Sequence, residues 1–362
     1  MPTQRLTRPL RLESGEVLDP VTIAYEIHGT PRPDGSNVVV VCHTLTGDLG
    51  IVGSKPWWFV GPGQLIDSDV ACIISMATLG TWRGSSSPNS QRIHGGHRRR
   101  LDFPTVTVRD SIEAHRQVLK SLGVTRARAV VGGSFGGFCA YTWLALEPDV
   151  FDVALIFQSA LSCSAHTIGF FELARELIVS DRRWQSGNYQ DDEVIHMDGV
   201  KRMLALNRLM QFSHHHFERK FPPETRYPQQ APQRPFTEPW SPVDDFVMAK
   251  PQALQGLDPA DFLCLIRSSA LFDLERTCPD LWQRWRQLRT AVIHIPCRQD
   301  WRYPVAGMEQ IHKRMESLGI TSRLLITESD YGHGSFLHDP RSLQPILPLL
   351  TEILTSGGPD PG

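Results

Sequence analysis

The sequence predicts an α/β domain, a mostly parallel sheet flanked by crossover helices and interrupted by a helical insertion. Two observations carry that prediction. Short apolar, β-branched runs alternate with helical patterns, which is the signature of βαβ units. These runs fall into two groups, parted by a long stretch of different texture from about residue 161 to about residue 285. The 362 residues, 41% hydrophobic and 21% charged, suffice for one large domain with an insertion or for two ordinary domains; the insertion is the more economical account.

Taken in order, residues 38–42 (VVVVC) form an apolar run of strand length, and residues 71–76 (ACIISM) form the next. Residues 111–122 then read as a helix. Asp110 is its expected N-cap, Ile112, Val118, Leu119 and Leu122 share a face, and Gly123 stops it. Residues 128–131 and 153–157 are further strand patterns, separated by a helix that ends near Glu147 and Pro148. Residues 161–220 read as helical, whereas 222–242 carry seven prolines, too many for a regular element. Strand patterns return at 291–295 and 323–327, and 356–362 (SGGPDPG) reads as a disordered tail. The expected division is therefore a core of residues 1–160 and 286–355 with an insertion at 161–285.

With 37 Lys+Arg against 39 Asp+Glu the net charge is −2, which supplies no basic field for nucleic acid or anionic lipid. No apolar run approaches membrane-spanning length, and the first residues do not read as a secretory signal. The seven cysteines are scattered, with no C-x-x-C pair; they read as buried free thiols in a reducing, cytoplasmic compartment.

The strongest chemical signal is residues 130–137, VVGGSFGG. It is a G-x-S-x-G pentapeptide directly after a strand pattern and directly before a helix, the context a nucleophile elbow requires. The flanking glycines let strand and helix approach without Cβ clashes. A serine hydroxyl needs a base to take its proton, and in folds built on such an elbow the partners follow in the order Ser, Asp, His. The strand pattern at 291–295 leads to Asp300, and that at 323–327 leads to His333. The expectation is Ser134 as nucleophile, His333 as general base and then acid, and Asp300 as the group that orients the imidazole. The Phe135 amide is one expected oxyanion donor; the other comes from the loop at residues 43–48 (HTLTGD).

Several motifs together resemble the homoserine O-acetyltransferase family of α/β-hydrolases. They are 12–18 (LESGEVL), 43–48, 57–63 (WWFVGPG), 79–85 (LGTWRGS), the elbow, 300–304 (DWRYP) and 331–333 (YGH), with a weaker match at 184–189 (WQSGNY). The resemblance covers about residues 9–350 and implies an α/β-hydrolase fold with about eight mostly parallel strands beneath a helical cap. It assigns the second oxyanion donor to the Leu45 amide. It implies ping-pong transfer of an acyl group from acyl-CoA, a substrate, to a hydroxyl acceptor, with no metal or redox cofactor, and a homodimer through the cap.

In the same resemblance an aspartate directly after the catalytic histidine, and an arginine and a tyrosine on a cap helix, read the amino-acid acceptor. Here those positions fall on Gly334, Leu204 and Gln211, with Arg202 and Arg208 nearby. Losing a carboxylate that pairs with an ammonium removes a bond of roughly 1.5–3 kcal/mol, so an acceptor other than homoserine is expected. An ester or thioester hydrolase is the alternative, because water needs no recognition. Other features take plainer readings. His214–His216 is a polar cap-helix face, and Arg98–Arg100 a solvated run or a contact for CoA phosphates. Trp57, Trp58 and Phe59 line an acyl pocket or pack the core, and Asp273 matches a family position where the chain returns from the cap.

Overall fold

The structure, a computed structural model, describes residues 1–90, 100–226, 235, 237–239, 241–249 and 256–356. Arg98, Arg99, much of the proline-rich stretch and residues 357–362 of the expected tail lie outside the described residues. Eight strands form the main sheet: β1 (Thr3–Arg5), β2 (Thr22–His28), β3 (Val38–Cys42), β4 (Cys72–Met76), β5 (Ala127–Gly133), β6 (Phe151–Phe157), β7 (Ala291–Ile295) and β8 (Ser322–Leu324). Their order is β1-β2-β4-β3-β5-β6-β7-β8. β3 to β8 run parallel, and β1 and β2 close one edge antiparallel.

The apolar runs become strands because both faces of the sheet are covered. Alternate residues point to opposite sides: Val38, Val40 and Cys42 join the cluster on one face, whereas Val39 and Val41 join Trp57, Phe59, Phe157 and Phe336 on the other. The expected strand at 323–327 is shorter than its pattern. β8 ends at Leu324, and only a single bridge, Cys297 to Thr327, continues the pairing. β8 has only β7 beside it, and its residues are only partly buried.

Helix α1 (Val108–Ser121) begins earlier than expected. Thr107 is its N-cap and Asp110 sits at the third position, each side chain accepting from the other's backbone amide, a capping box. Asp110 as the cap is thus corrected: the threonine three residues earlier takes that place. The helix stops as expected. The Gly123 and Val124 amides donate back to Lys120 and Leu119 with Gly123 at φ +74°, a Schellman close.

Helix α2 (Phe135–Leu146) is buried from Phe135 to Ala145. The chain then leaves the core beyond β6 through a narrow neck, where Cys163 donates to the Phe272 carbonyl and Leu274 to that of Leu161. Between these crossings lie α3 (Ala165–Val179), α4 (Asp198–Gln211), α5 (His214–Lys220), α6 (Pro242–Met248) and α7 (Pro259–Ala270), most of them around an apolar cluster of their own. Asp273 caps the helical turn Leu274–Thr277 at the return. Leu274, Leu281 and Trp285, expected within the insertion, join the core cluster beside α2 instead.

Candidate active site

Ser134 sits between β5 and α2 at φ +55°, ψ −121°, a conformation that costs a non-glycine residue free energy and persists only where its surroundings enforce it. Its amide donates to Phe157 O (3.0 Å), and Ser159 Oγ donates to its carbonyl (2.9 Å). A Cβ at Gly132 would collide with the Gly136 carbonyl, and one at Gly136 with those of Cys42 and His43. The two glycines therefore let strand, helix and the loop after β3 meet at the serine.

The structure brings Ser134, His333 and Asp300 together. His333 Nδ1 lies 2.9 Å from Asp300 Oδ2, and because a carboxylate only accepts, Nδ1 carries the proton and donates. Nε2 is then bare and accepts from Ser134 Oγ at 2.9 Å. All three residues are buried. The remaining capacity of Asp300 is filled by the Arg302 and Tyr303 amides on Oδ1 (2.9 and 3.1 Å) and by Gln158 Nε2 on Oδ2 (3.0 Å).

Gln158 was not singled out by sequence reasoning. It follows β6 at φ +42°, and its amide spans two loops. Nε2 donates to Asp300 and to Gly332 O (2.8 Å), while Oε1 accepts from Gly334 N (3.1 Å) and Ser335 Oγ (3.3 Å). The available signal was its place just beyond an apolar strand at the carboxyl edge of the sheet, where open α/β sheets gather their sites.

The loop at 43–48 follows β3. Thr78 N donates to His43 Nε2 (3.1 Å), so the ring proton is on Nδ1, which donates to Thr44 O (2.8 Å). Burial pushes the His43 pKa below its ordinary value, and a neutral ring pins the loop that carries Leu45. Leu45 is half-buried between the core and insertion clusters. The Phe135 amide opens α2, where the first amides have no partner within the helix, and its ring lies 5.9 Å from that of His43.

Of the four expected acceptor-side residues, Gly334 and Gln211 come together, whereas Leu204 and Arg208 pack elsewhere. Gly334, at φ +84°, stands beside Gln211; a Cβ there would meet Gln211 Nε2 at 3.5 Å. Leu204 packs into the insertion cluster. Arg208 donates to the Phe246 carbonyl and lies 5.4 Å over that ring, so its charge is turned toward α6. The α4–α5 junction touches the loops that carry Asp300 and His333, since Trp301 Nε1 donates to Phe212 O (3.3 Å) and Ser213 N to Asp330 O (3.4 Å).

Other expectations need correction. Arg100 is not solvated: it donates to the carbonyls of Gly187 and Tyr189 (2.8 and 2.6 Å) and stacks on the Tyr189 ring. His216 leaves the polar face that His214 and His215 keep. It stacks on Phe212 at 4.3 Å, because an aromatic cluster with Phe246 and Tyr331 lies under that side of α5. Trp57 and Phe59 are core residues, and Trp58 Nε1 donates to Phe336 O (2.9 Å). A cavity of about 340 Å³ between α3, α7 and residues 100–106 includes none of Ser134, Asp300 or His333 in its lining.

A parallel sheet with a serine elbow after β5, an acid after β7 and a histidine after β8 defines the α/β hydrolase class, and the α/β hydrolase fold family matches residues 37–340. Within it, the chain belongs to the homoserine O-acetyltransferase family. The homoserine O-acetyltransferase of Geotalea daltonii is 30% identical over 353 residues, 93% of each chain. That of Methanohalobium evestigatum is 31% identical over 360 residues, 95% of this chain and 71% of its own. Among solved structures, the homoserine O-acetyltransferase from Bacillus anthracis superposes with a TM-score of 0.88, 21% identical, over 98% of this chain and 97% of its own. Esterase E22 gives a TM-score of 0.85, also 21% identical, over 98% and 99%; both show a shared fold.

Proposed function

We propose that this chain is a serine-nucleophile O-acyltransferase that moves an acyl group from acyl-CoA to a hydroxyl acceptor other than homoserine. The observation that carries the reading is the unbroken line of hydrogen bonds from Ser134 through His333 to Asp300, set on a strained elbow. In the first half-reaction Ser134 Oγ attacks the thioester carbonyl as His333 Nε2 takes its proton. Asp300 stabilises the imidazolium. The Leu45 and Phe135 amides hold the oxyanion, each such donor being worth about 2.7–4 kcal/mol. Collapse expels the CoA thiol, which takes the proton back from His333. In the second half the acceptor hydroxyl gives its proton to His333 and attacks the acyl-serine ester, regenerating Ser134. CoA is a substrate, and no metal or redox cofactor has a part.

Gly334, Leu204 and Gln211 offer a zwitterionic acceptor neither a carboxylate nor a guanidinium, and Arg208 is committed to Phe246. That favours an acceptor without an ammonium group. It also favours the second reading, an ester or thioester hydrolase that passes the acyl group to water. Seven unpaired cysteines favour a reducing, cytoplasmic setting, and the exposed Leu173 and Leu209 on the insertion favour a homodimer through it. The test is thiol release from acetyl-CoA by stopped flow. A stoichiometric burst followed by slow turnover that a hydroxyl compound accelerates supports transfer. Steady turnover that no acceptor accelerates supports hydrolysis instead.

A further inference from the structure

Two residues beyond Asp300, Arg302 is 6% exposed, and its Nε and Nη2 are buried with no hydrogen-bond partner among the described residues. A guanidinium does not give up its proton in proteins, and an ionised group out of water without a counter-charge is costly. Burial is the main influence on it, acting against the charged form. Of the groups around it, Asp300 supplies an opposite charge through space but no hydrogen bond. Asp300 already accepts four hydrogen bonds, none of them from the Arg302 side chain. Burial raises the Cys163 thiol to about 12 and pushes the Tyr303 phenol upward as well, so both stay neutral. The ring of Phe170, from α3, lies 4.4 Å from the guanidinium carbon. Nε and Nη2 share one edge of the guanidinium, the edge that takes a carboxylate with two parallel N–H···O bonds.

We propose that Arg302 is a specificity-determining residue that binds a carboxylate carried by one of the two substrates, through the unpartnered Nε–Nη2 edge between core and insertion. The inference rests on the acyl-transfer reading for its location. Arg302 feels the charge of Asp300, and Tyr303, the next residue, has its ring 5.2 Å from that of His333; on that proximity the carboxylate is assigned to a molecule reacting at Ser134. The edge is closed to solvent, so a ligand reaches it as the side chains around it move aside. With Gly334 supplying no acid for an ammonium, the favoured substrate is an acid and not a zwitterion. The carboxylate has two sources, the acceptor, as in a hydroxy acid, or the acyl group, as in a dicarboxylic half-ester.

Titration calorimetry on Ser134→Ala, which binds without chemistry, tests the inference with two matched pairs. The first pair is 4-hydroxybutyrate against 4-hydroxybutyramide; the second is monomethyl succinate against methyl succinamate. The acid of one pair is expected to bind about tenfold to a hundredfold tighter than its amide, and the pair that discriminates identifies the source. The preference should vanish in Ser134→Ala/Arg302→Met and return in part in Ser134→Ala/Arg302→Lys. Equal binding of acid and amide in both pairs overturns the inference without any Arg302 variant having to fold, and so does a preference that survives Arg302→Met in folded protein. Selective binding together with no acyl-enzyme in the wild type overturns the acyl-transfer reading alone.

Discussion

Around Asp300 two carboxylate oxygens meet four donors, whereas two residues along the chain two nitrogens of Arg302 meet no acceptor among the described residues. The first region is the floor of the site. It is built from strand ends and tight turns of the core, and each polar group there has its geometry set by a neighbour that is itself held. The second lies where the floor meets the insertion, with Phe170 from α3 against the guanidinium. There, side chains pack or turn away without forming a closed polar network. Groups that perform the chemistry must be in place before substrate arrives, so the floor is complete as it stands. In the proposed reading Arg302 recognises a substrate and is completed by it.

The sharpest way to break this comparison is at the floor. Ser134→Ala is expected to lower turnover by about 10⁴-fold or more while the circular dichroism and melting temperature stay those of the wild type. Turnover that persists would mean the elbow serine is not the nucleophile. Gln158→Ala tests whether the clamp matters apart from Ser134, His333 and Asp300. It leaves Asp300 one donor short and the Gly332 and Gly334 backbone groups unmet in a buried place. An unsatisfied buried group costs about 1–3 kcal/mol, so the melting temperature should fall along with kcat. A kcat loss in Gln158→Ala with KM and stability unchanged would mean the amide acts on substrate and not on the loops.

Two buried histidines set a smaller, pH-dependent effect on the core alone. Burial pushes His294 down to about 3 and His115 down to about 4, against an ordinary value near 6.5. Between those values the unfolded chain binds protons that the folded chain refuses. Stability is therefore full above about pH 6.5 and is lost as pH falls toward the folded values. The melting temperature should drop over that window, and His294→Gln should make the drop shallower. The smallest effect belongs to the roof. Leu204→Ala should change the rate of acyl-enzyme formation less than about threefold, because its contacts lie in the insertion cluster and distant sites act independently; burst kinetics measure this.

The parts of the fold legible in the sequence are those decided locally. Five apolar runs, at 38–42, 71–76, 128–131, 153–157 and 291–295, became strands because a parallel sheet covered on both faces demands uninterrupted apolar residues. The elbow was legible because Gly132, Gly133 and Gly136 have no substitutes at such close approaches. Asp300, five residues after β7, and the histidine after β8 were legible from chain order. What escaped depended on partners distant in sequence. Gln158 is an ordinary glutamine until Asp300, Gly332 and Gly334 come to it from more than 140 residues away. Arg302 lies within a motif noted from the sequence, but its burial depends on Phe170 from the insertion. Arg100 read as a solvated charge because nothing nearby in sequence announces the carbonyls of Gly187 and Tyr189.

The central claim is that a prebuilt floor makes a covalent acyl-serine before any acceptor is recognised. Peptide mass mapping of protein quenched within milliseconds of mixing with acetyl-CoA, with no acceptor present, tests it most directly. An acetyl mass increment is expected on the peptide that carries Ser134, absent in Ser134→Ala and in His333→Ala and discharged when an accepted hydroxyl compound is added. Thiol release with no acyl group on Ser134 at any time would contradict it, because the acyl group would then pass directly from CoA to acceptor or water without the nucleophile the elbow presents.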